Sequence, residues 1–349
     1  MRVVATTLTG NHEGIIEDAL RSVCEWVDVC LVIDTGVTDS TLQRARAVAG
    51  PKLVIKRFEW QNDFAAARNF ALDAATELAG SWAVTLDTDE RLHLGGSDVR
   101  AELARATEGV LYVSDASGSY VKERFFKLPM SERWQGPTHE AFAAYKVGCR
   151  TLTGVTFGEV AKSAEASRQK FERDVQSLSR YVAQHPDDPR WHFYLGESQR
   201  NLGHFEEAIA AYARCAALRG WDEESAWACY RAAECLCRLE RFDDALDRCA
   251  TGLARHAGIA ELAWLAGYIC YQLGRDAQAV YWSRLAVTHG YFRGDAEAVA
   301  RIGFRDPLGL WEGPYDVLRW AEQRRGNAAQ AAAAEVLWLE AKAARKGGK

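Results

Sequence analysis

Long apolar runs are what this chain of 349 residues most plainly lacks. Its uncharged stretch Leu262–Gly274 covers only 13 residues, short of the ~20 that a bilayer-crossing helix needs. The opening segment, Met1 to Glu13, turns polar after a brief apolar run, so no secretory signal is expected. Cysteine is plentiful, but pattern among the cysteines is missing. Their number, nine, is odd, no Cys-x-x-Cys pair occurs, and the closest spacing is Cys235-x-Cys237. That excludes a zinc ribbon or a disulfide framework. Most of the thiols (Cys215, Cys229, Cys235, Cys249, Cys270) fall in helical stretches, where a reduced cysteine packs as a small apolar residue, as expected in a reducing cytoplasm. Basic excess is absent too: 43 Lys+Arg oppose 48 Asp+Glu, a net charge of −5. A nucleic-acid binder held by a broad basic surface is therefore not expected. Disorder is excluded by the 48% hydrophobic content, which suffices for a substantial core.

What is present divides into two halves of different periodicity. Over the first ~90 residues short apolar runs alternate with amphipathic stretches. Val3–Leu8, Val29–Asp34, Lys52–Lys56 and Trp82–Leu86 read as strands. Gly14–Trp26, a segment starting at Asp39-Ser40-Thr41, and Asp63–Leu78 read as helices. Strands alternating with helices predict βαβ units and a mainly parallel sheet, and such sheets carry ligands at the carboxyl ends of their strands. Polar clusters stand at those ends: Thr9 to Glu13, Asp34 to Thr38 and Asp87 to Glu90.

From about Ala166 strand signals vanish and a repeat takes over. HFEEA, RFDDA and RDAQA end at Ala208, Ala245 and Ala279, offsets of 37 and 34 residues. Leu195-Gly196, Gly203 and Tyr212 complete the spacing by which tetratricopeptide repeats pack two helices closely. A weaker fourth copy is expected around Gly326 and Ala331. Glu240 replaces the usual glycine of the second repeat, and the proline that often closes a repeat is missing. Trp191, Tyr194, Trp227 and Tyr230 lie on first helices of these repeats, where they would line a concave groove for an extended peptide or a sugar, or simply pack the core. Charge also divides: residues 1–165 carry 18 basic and 23 acidic groups, net −5, and the remaining 25 and 25 cancel. A net-acidic domain that binds an anionic nucleotide needs a local cation, either a metal or placed arginines.

Asp87-Thr88-Asp89 directly follows an apolar strand. Two carboxylates one residue apart can converge on a hard cation such as Mg²⁺ or Mn²⁺, although such a triplet arises about once by chance in a chain this long. Further blocks accompany it in order. Asn11-His12-Glu13 resembles an N-E-E element after a first strand, Trp26–Thr41 a strand ending in D-T-G-S-T-D-G-T, and Phe58–Leu72 a W-x-x-D-F-A-x-x-R-N block. Leu86–Glu90 is similar to L-D-A-D-E, and Arg133–Phe142 to a G-x-x-H-E element. Together these resemble glycosyltransferase family 2, in particular bacterial members fused to a helical repeat domain. The resemblance implies an α/β GT-A fold, a Rossmann-like nucleotide-diphospho-sugar transferase sheet, over residues 1–160. An all-α tetratricopeptide-like domain would follow over 166–349.

The same resemblance implies site residues. Asp34 would bond the nucleobase, and Asn11 and Glu13 would line the base and ribose pocket together with Thr9 and Thr35. Arg68 and Thr88 would lie by the nucleotide, and Asp87 and Asp89 would hold Mn²⁺ or Mg²⁺ on the diphosphate. Glu140 is the expected general base for an inverting transfer, with His139 beside it or on the metal, and Asp115 a second base candidate. The implied donor is a nucleotide-sugar, UDP-sugar foremost. The implied acceptor is a peptide or protein side chain ahead of a saccharide or lipid. Gly10 and His12 depart from the family's K-N-E-E, and Val37 and Ser40 from its D-T-G-S-T-D-G-T. A sugar nucleotidyltransferase would need a glycine-rich, basic loop after the first strand, where this chain has one glycine and an acid. The reading from another class is a repeat scaffold carrying an inactive transferase-like domain.

Overall fold

The computed structural model describes residues 1–118, 120–161, 163–300 and 303–347; the expected end of the helical domain, residue 349, lies outside them. By internal contacts the chain divides into two compact units, Met1–Ala166 and Ser167–Lys349.

The first unit is built on an eight-stranded sheet of order β3-β2-β1-β4-β7-β6-β8-β5. Strands β1 (Val3–Thr9), β2 (Val29–Asp34), β3 (Leu53–Arg57) and β4 (Trp82–Thr85) pair in parallel. Helices α1 (Ile16–Cys24), α2 (Thr41–Ala49) and α3 (Phe64–Glu77) connect them. Helix α1 buries Ile16, Ala19, Leu20 and Val23, the i, i+3, i+4, i+7 stripe of a helix laid on a sheet. Successive strand residues serve opposite faces: Val3, Ala5, Cys30 and Val32 join the core under α1 and α2, while Val4, Leu31 and Ile33 join that under α3.

The second half of this sheet departs from the mainly parallel expectation. It contains β5 (Glu90–His93), α4 (Val99–Arg105), β6 (Val110–Asp115), β7 (Val121–Lys127) and β8 (Cys149–Glu159). Strand β7 runs antiparallel to both β4 and β6, so the sheet is mixed. Its sequence, VKERFFK, mixes charge with aromatics and gives no clean strand alternation.

The second unit opens with α5 (Ala164–Gln184) and continues as antiparallel helix pairs. These are α6 (Pro189–Asn201) with α7 (Phe205–Leu218), α8 (Asp222–Arg238) with α9 (Phe242–Arg255), and α10 (Ala260–Gln272) with α11 (Asp276–His289). After two short helices, α12 (Ala296–Ala300) and α13 (Pro307–Leu310), come α14 (Gly313–Arg324) and α15 (Ala328–Gly347). Ala208, Ala245 and Ala279 are fully buried on the second helix of their pairs. At Gly196 a Cβ would stand 2.6 Å from the Tyr212 ring, so only glycine allows α6 and α7 to approach this closely. Gly203, Glu240, Gly274 and Gly326 all take positive φ, 81°, 59°, 72° and 79°, at the turn inside their pairs. The fourth, weaker repeat is therefore a helix pair with the same turn, and Glu240 adopts the glycine conformation at a cost of roughly 1–2 kcal/mol. Trp191, Trp227 and Tyr230 are buried and Tyr194 half-buried; packing accounts for these aromatics, and none of the four stands bare in a groove.

Candidate active site

The ends of β1 and β2 lie side by side, with Thr9 in register with Asp34, and β4 delivers Asp87 two residues after its last paired position. Three further segments close on this edge. Helix α3 starts at Asp63, whose side chain accepts from the Ala66 N–H, and it presents Arg68 one turn later. Asn69 then ties α3 to the segment carrying His139 and Glu140: its Nδ2 donates to the Trp134 carbonyl at 3.0 Å and its Oδ1 accepts from the Trp134 N–H at 2.9 Å. A bridge between Gln135 and Ala141 makes that segment a tight loop, with His139 at φ 51°, a left-handed conformation uncommon outside glycine.

The predicted residues meet around Arg68. Its Nε donates to Glu140 Oε1 at 3.0 Å, and its Nη2 to Asp87 Oδ1 at 3.0 Å and Oδ2 at 3.3 Å, while the guanidinium lies 5.4 Å from the Trp134 ring centroid. Nη1 is buried with no hydrogen-bond acceptor among the described residues. Burial alone would push the Asp87 carboxyl up, but the Arg68, Arg124 and Lys122 cations outweigh it and hold it well below the usual carboxylate range. Burial likewise pulls the Arg68 guanidinium down, and Asp87 and Glu140 more than restore it. Both groups are charged at any physiological pH.

A second group links β1 to the acidic turn. His12 Nδ1 lies 3.3 Å from both Thr9 Oγ1 and Thr88 Oγ1, and the His12 N–H donates to Thr41 Oγ1 at 2.8 Å. Arg91 braces the same turn, donating to the carbonyls of Thr88 at 2.9 Å and Ile15 at 3.0 Å.

Asn11, Glu13 and Asp34 hold loops together. Asn11 exchanges hydrogen bonds with Thr38 at 2.8 Å in each direction. Glu13 Oε2 accepts from Ser40 Oγ at 2.5 Å. Asp34 Oδ1 accepts from the N–H groups of Gly36 and Val37, and Thr35 Oγ1 donates to the Thr9 carbonyl at 2.9 Å. At the start of α2, within the expected Asp39-Ser40-Thr41 segment, Asp39 accepts from the Thr41 N–H and hydroxyl. The Asp115 carboxylate is occupied by its own turn, accepting from Ser117 and from the Tyr120 N–H, which is no arrangement for a base. Asp89 follows on the acidic turn, its carbonyl accepting from the Val160 N–H at 2.8 Å.

The structure adds two residues that the motifs do not contain. Arg124, on β7, pairs with Glu90 and approaches Asp87 at 3.4 Å; its side chain is 4% exposed and that of Glu90 1%. Lys122, two residues earlier and so on the same strand face, bonds Glu90 Oε1 at 2.9 Å. The available signal was two cations at i and i+2 in an otherwise aromatic strand. Their partners lie more than 30 residues away, so only the β4–β7 pairing reveals the site they serve.

A divalent cation here would meet a partial donor set. Among the described residues no three His, Cys, Asp or Glu side chains form a metal-holding group. Asp87 and Asp89 still offer hard carboxylate oxygens of the kind Mg²⁺ and Mn²⁺ prefer, and a bound diphosphate supplies oxygens of the same class. The residues fit a cation shared with a ligand rather than one caged by protein.

The site thus gathers the Asp87 carboxylate and the buried Arg68 at the strand ends of a GT-A-type sheet. Residues 6–157 match the model of the family described as Glycosyl transferase family 2, a span that lies within the N-terminal unit. A TPR repeat-containing protein of Synechococcus elongatus is 32% identical over 193 residues, covering 50% of this chain and 46% of its own length. The SPbeta prophage-derived glycosyltransferase SunS of Bacillus subtilis is 24% identical over 212 residues, covering 57% and 49%. The chain thus spans about half the length of the curated relatives it matches. Among solved structures, a crystal structure of MamA aligns at 14% identity and TM-score 0.41, covering 54% of this chain and 99% of that one. Among the described residues no helix is long and apolar enough to cross a membrane.

Proposed function

We propose that the chain is a metal-dependent, inverting glycosyltransferase that moves a sugar from a nucleotide-sugar, UDP-sugar foremost, to an acceptor. The acceptor is a polypeptide side chain ahead of a saccharide or lipid. Sugar transfer is assigned to residues 1–160 and acceptor selection to 166–349. The observation that carries this reading is Arg68: a buried guanidinium fixed by Asp87 and Glu140, with Nη1 lacking an acceptor. A buried N–H left unmade is costly, and a diphosphate oxygen is the partner a guanidinium fork suits.

In the reaction the bond from anomeric carbon to phosphate oxygen breaks while the acceptor heteroatom bonds that carbon from the opposite face. The acceptor proton passes to Glu140, whose Oε2 carries no hydrogen bond among the described residues and whose Oε1 is held by Arg68. Arg68 offsets the charge that grows on the departing diphosphate, stabilising the transition state more than the ground state. Asp87 and Asp89, with His139 beside them, would hold Mn²⁺ or Mg²⁺, which when bound adds Lewis-acid stabilisation of that diphosphate. Thr9, Asn11, Glu13, Asp34, Thr35 and Thr88 form the loops that receive the nucleoside, with His12 fixing the distance between Thr9 and Thr88. We place the protein in the cytoplasm, in keeping with nine free thiols.

The test is release of nucleoside diphosphate from UDP-, GDP- and dTDP-sugars with Mn²⁺, Mg²⁺ or EDTA. Metal-dependent release from one donor, abolished in Asp89→Ala, is the expected result. Release indifferent to EDTA removes the metal from the reading. Silence together with no thermal shift by any nucleotide favours the scaffold.

A further inference from the structure

The turn-to-turn spacing of the helix pairs runs Gly203, Glu240, Gly274, Gly326, and the last interval, 52 residues, is 18 longer than the 34 before it. The excess chain lies between α11 and α14. Its residues 303–306 touch the first helices of the three preceding pairs, α6, α8 and α10. Phe304 sits among aromatic rings from those helices: 5.8 Å from Trp227 in a stacked arrangement (15° between planes), 5.4 Å from Phe193 and 5.5 Å from Trp221. Glu223 Oε1 accepts from the N–H groups of Gly303 at 2.7 Å and Phe304 at 3.0 Å. Glu261 Oε1 accepts from the Asp306 N–H at 2.8 Å, and Tyr230 Oη donates to Asp306 Oδ2 at 3.1 Å.

Buried Glu312 and Glu322 of the same unit pair with arginines. Glu223 and Glu261 are buried, yet neither carries an ion pair among the described residues; peptide N–H groups of the strap satisfy them instead. Buried carboxylates without a cation are costly and are retained only where something donates to them. Backbone N–H groups are common to every polypeptide, so this half of the recognition does not depend on sequence. The aromatic box selects a ring, whose contacts with Trp227, Phe193 and Trp221 add to simple burial. Gly303, Arg305 and Pro307 are exposed, so the strap turns alternate residues to solvent while Phe304 packs on the edge of the core of these helices.

We propose that the first helices α6, α8 and α10 form a groove for an extended polypeptide carrying an aromatic side chain and, two residues on, an acidic one, and that residues 303–306 are its resident, displaceable occupant. An intramolecular occupant competes at high effective concentration, so the groove's apparent affinity for a partner is lowered by the fraction of time it stays covered. The proposal holds whether or not the N-terminal unit transfers a sugar.

The test uses the full chain and a fluorescent peptide of residues 303–310, read by anisotropy. Wild type should bind it weakly, and Phe304→Ala should bind it at least about tenfold more tightly because its own strap no longer fills the box. Tyr230→Phe, which removes the hydroxyl that donates to Asp306 and leaves the Asp306 cap on the Leu308 N–H in place, is the second opened variant should the first lose its helical circular dichroism. Binding should vanish with a peptide lacking the phenylalanine ring, and in a chain that also carries Trp227→Ala. Opened variants with wild-type circular dichroism that bind no better than wild type overturn the proposal, as does binding that survives Trp227→Ala.

Discussion

Buried carboxylates occur in both units, and the two treat them in opposite ways. In the N-terminal unit Asp87 and Glu90 face Arg68, Arg124 and Lys122, and Asp87 is held far below its ordinary pKa. In the helical unit Glu261 meets peptide N–H groups, a neighbouring aspartate and the field of Arg305, and burial pushes its pKa up to about 7. Glu261 is the more deeply buried of the two, since the Asp87 side chain is 29% exposed, and the partners differ. A guanidinium keeps a buried carboxylate ionised and fixes a permanent charge where a diphosphate would need one. A backbone N–H only partly offsets desolvation, so the group titrates near neutral pH, and what it holds becomes adjustable.

The sharpest way to break this contrast is Arg124→Ala. It leaves Glu90 buried with Lys122 as its one remaining ion-pair partner among the described residues and should destabilise the N-terminal unit by about 3–5 kcal/mol, seen as a lower midpoint in urea. If Arg124 were an ordinary surface arginine, the midpoint would hardly move. Next is pH. Glu261 has a folded pKa above its unfolded value near 4.5, so the stability it confers is complete below that pH and is lost as pH rises toward 7. The loss should approach about 3 kcal/mol, detectable as a falling melting temperature of the helical unit between pH 5 and pH 8. Glu261→Gln should flatten that slope, and a slope of opposite sign would contradict the assignment.

Packing in the helical unit gives a smaller effect. Gly196→Ala forces a methyl against Tyr212 and should cost about 1–3 kcal/mol in chemical denaturation. The smallest change goes the other way: Glu240→Gly relieves a left-handed residue and should stabilise by about 1 kcal/mol, raising the melting temperature by a few degrees.

The repeat was legible because helix pairs impose local rules. A close approach needs a small residue, and a tight turn needs a residue that tolerates positive φ, so Gly196, Gly203, Ala208, Ala245 and Ala279 recur at readable intervals. The parallel half of the sheet was legible for a similar reason, since β1, β2 and β4 are buried on both faces and read as continuous apolar runs. The other half was not: β7 buries cations, and its charge disguises the strand. At the site, Arg68, Asp87 and Glu140 were legible as members of ordered motifs. Their mutual contact was not, because 19 residues separate Arg68 from Asp87 and 72 separate it from Glu140.

By itself, then, the sequence determined the division into a sheet domain and a helical array, the strand ends where polar residues gather, and the turn positions of the repeats. Each follows from periodicity or local backbone sterics, which act over a few residues. Tertiary structure alone decided that Arg124 and Lys122 share one acidic pocket with Arg68, that Asn11 and Glu13 bond the loop after β2, and that Phe304 lies on Trp227. Those are contacts between segments distant in sequence. Burial and desolvation set their energies, and both depend on what the rest of the fold brings alongside.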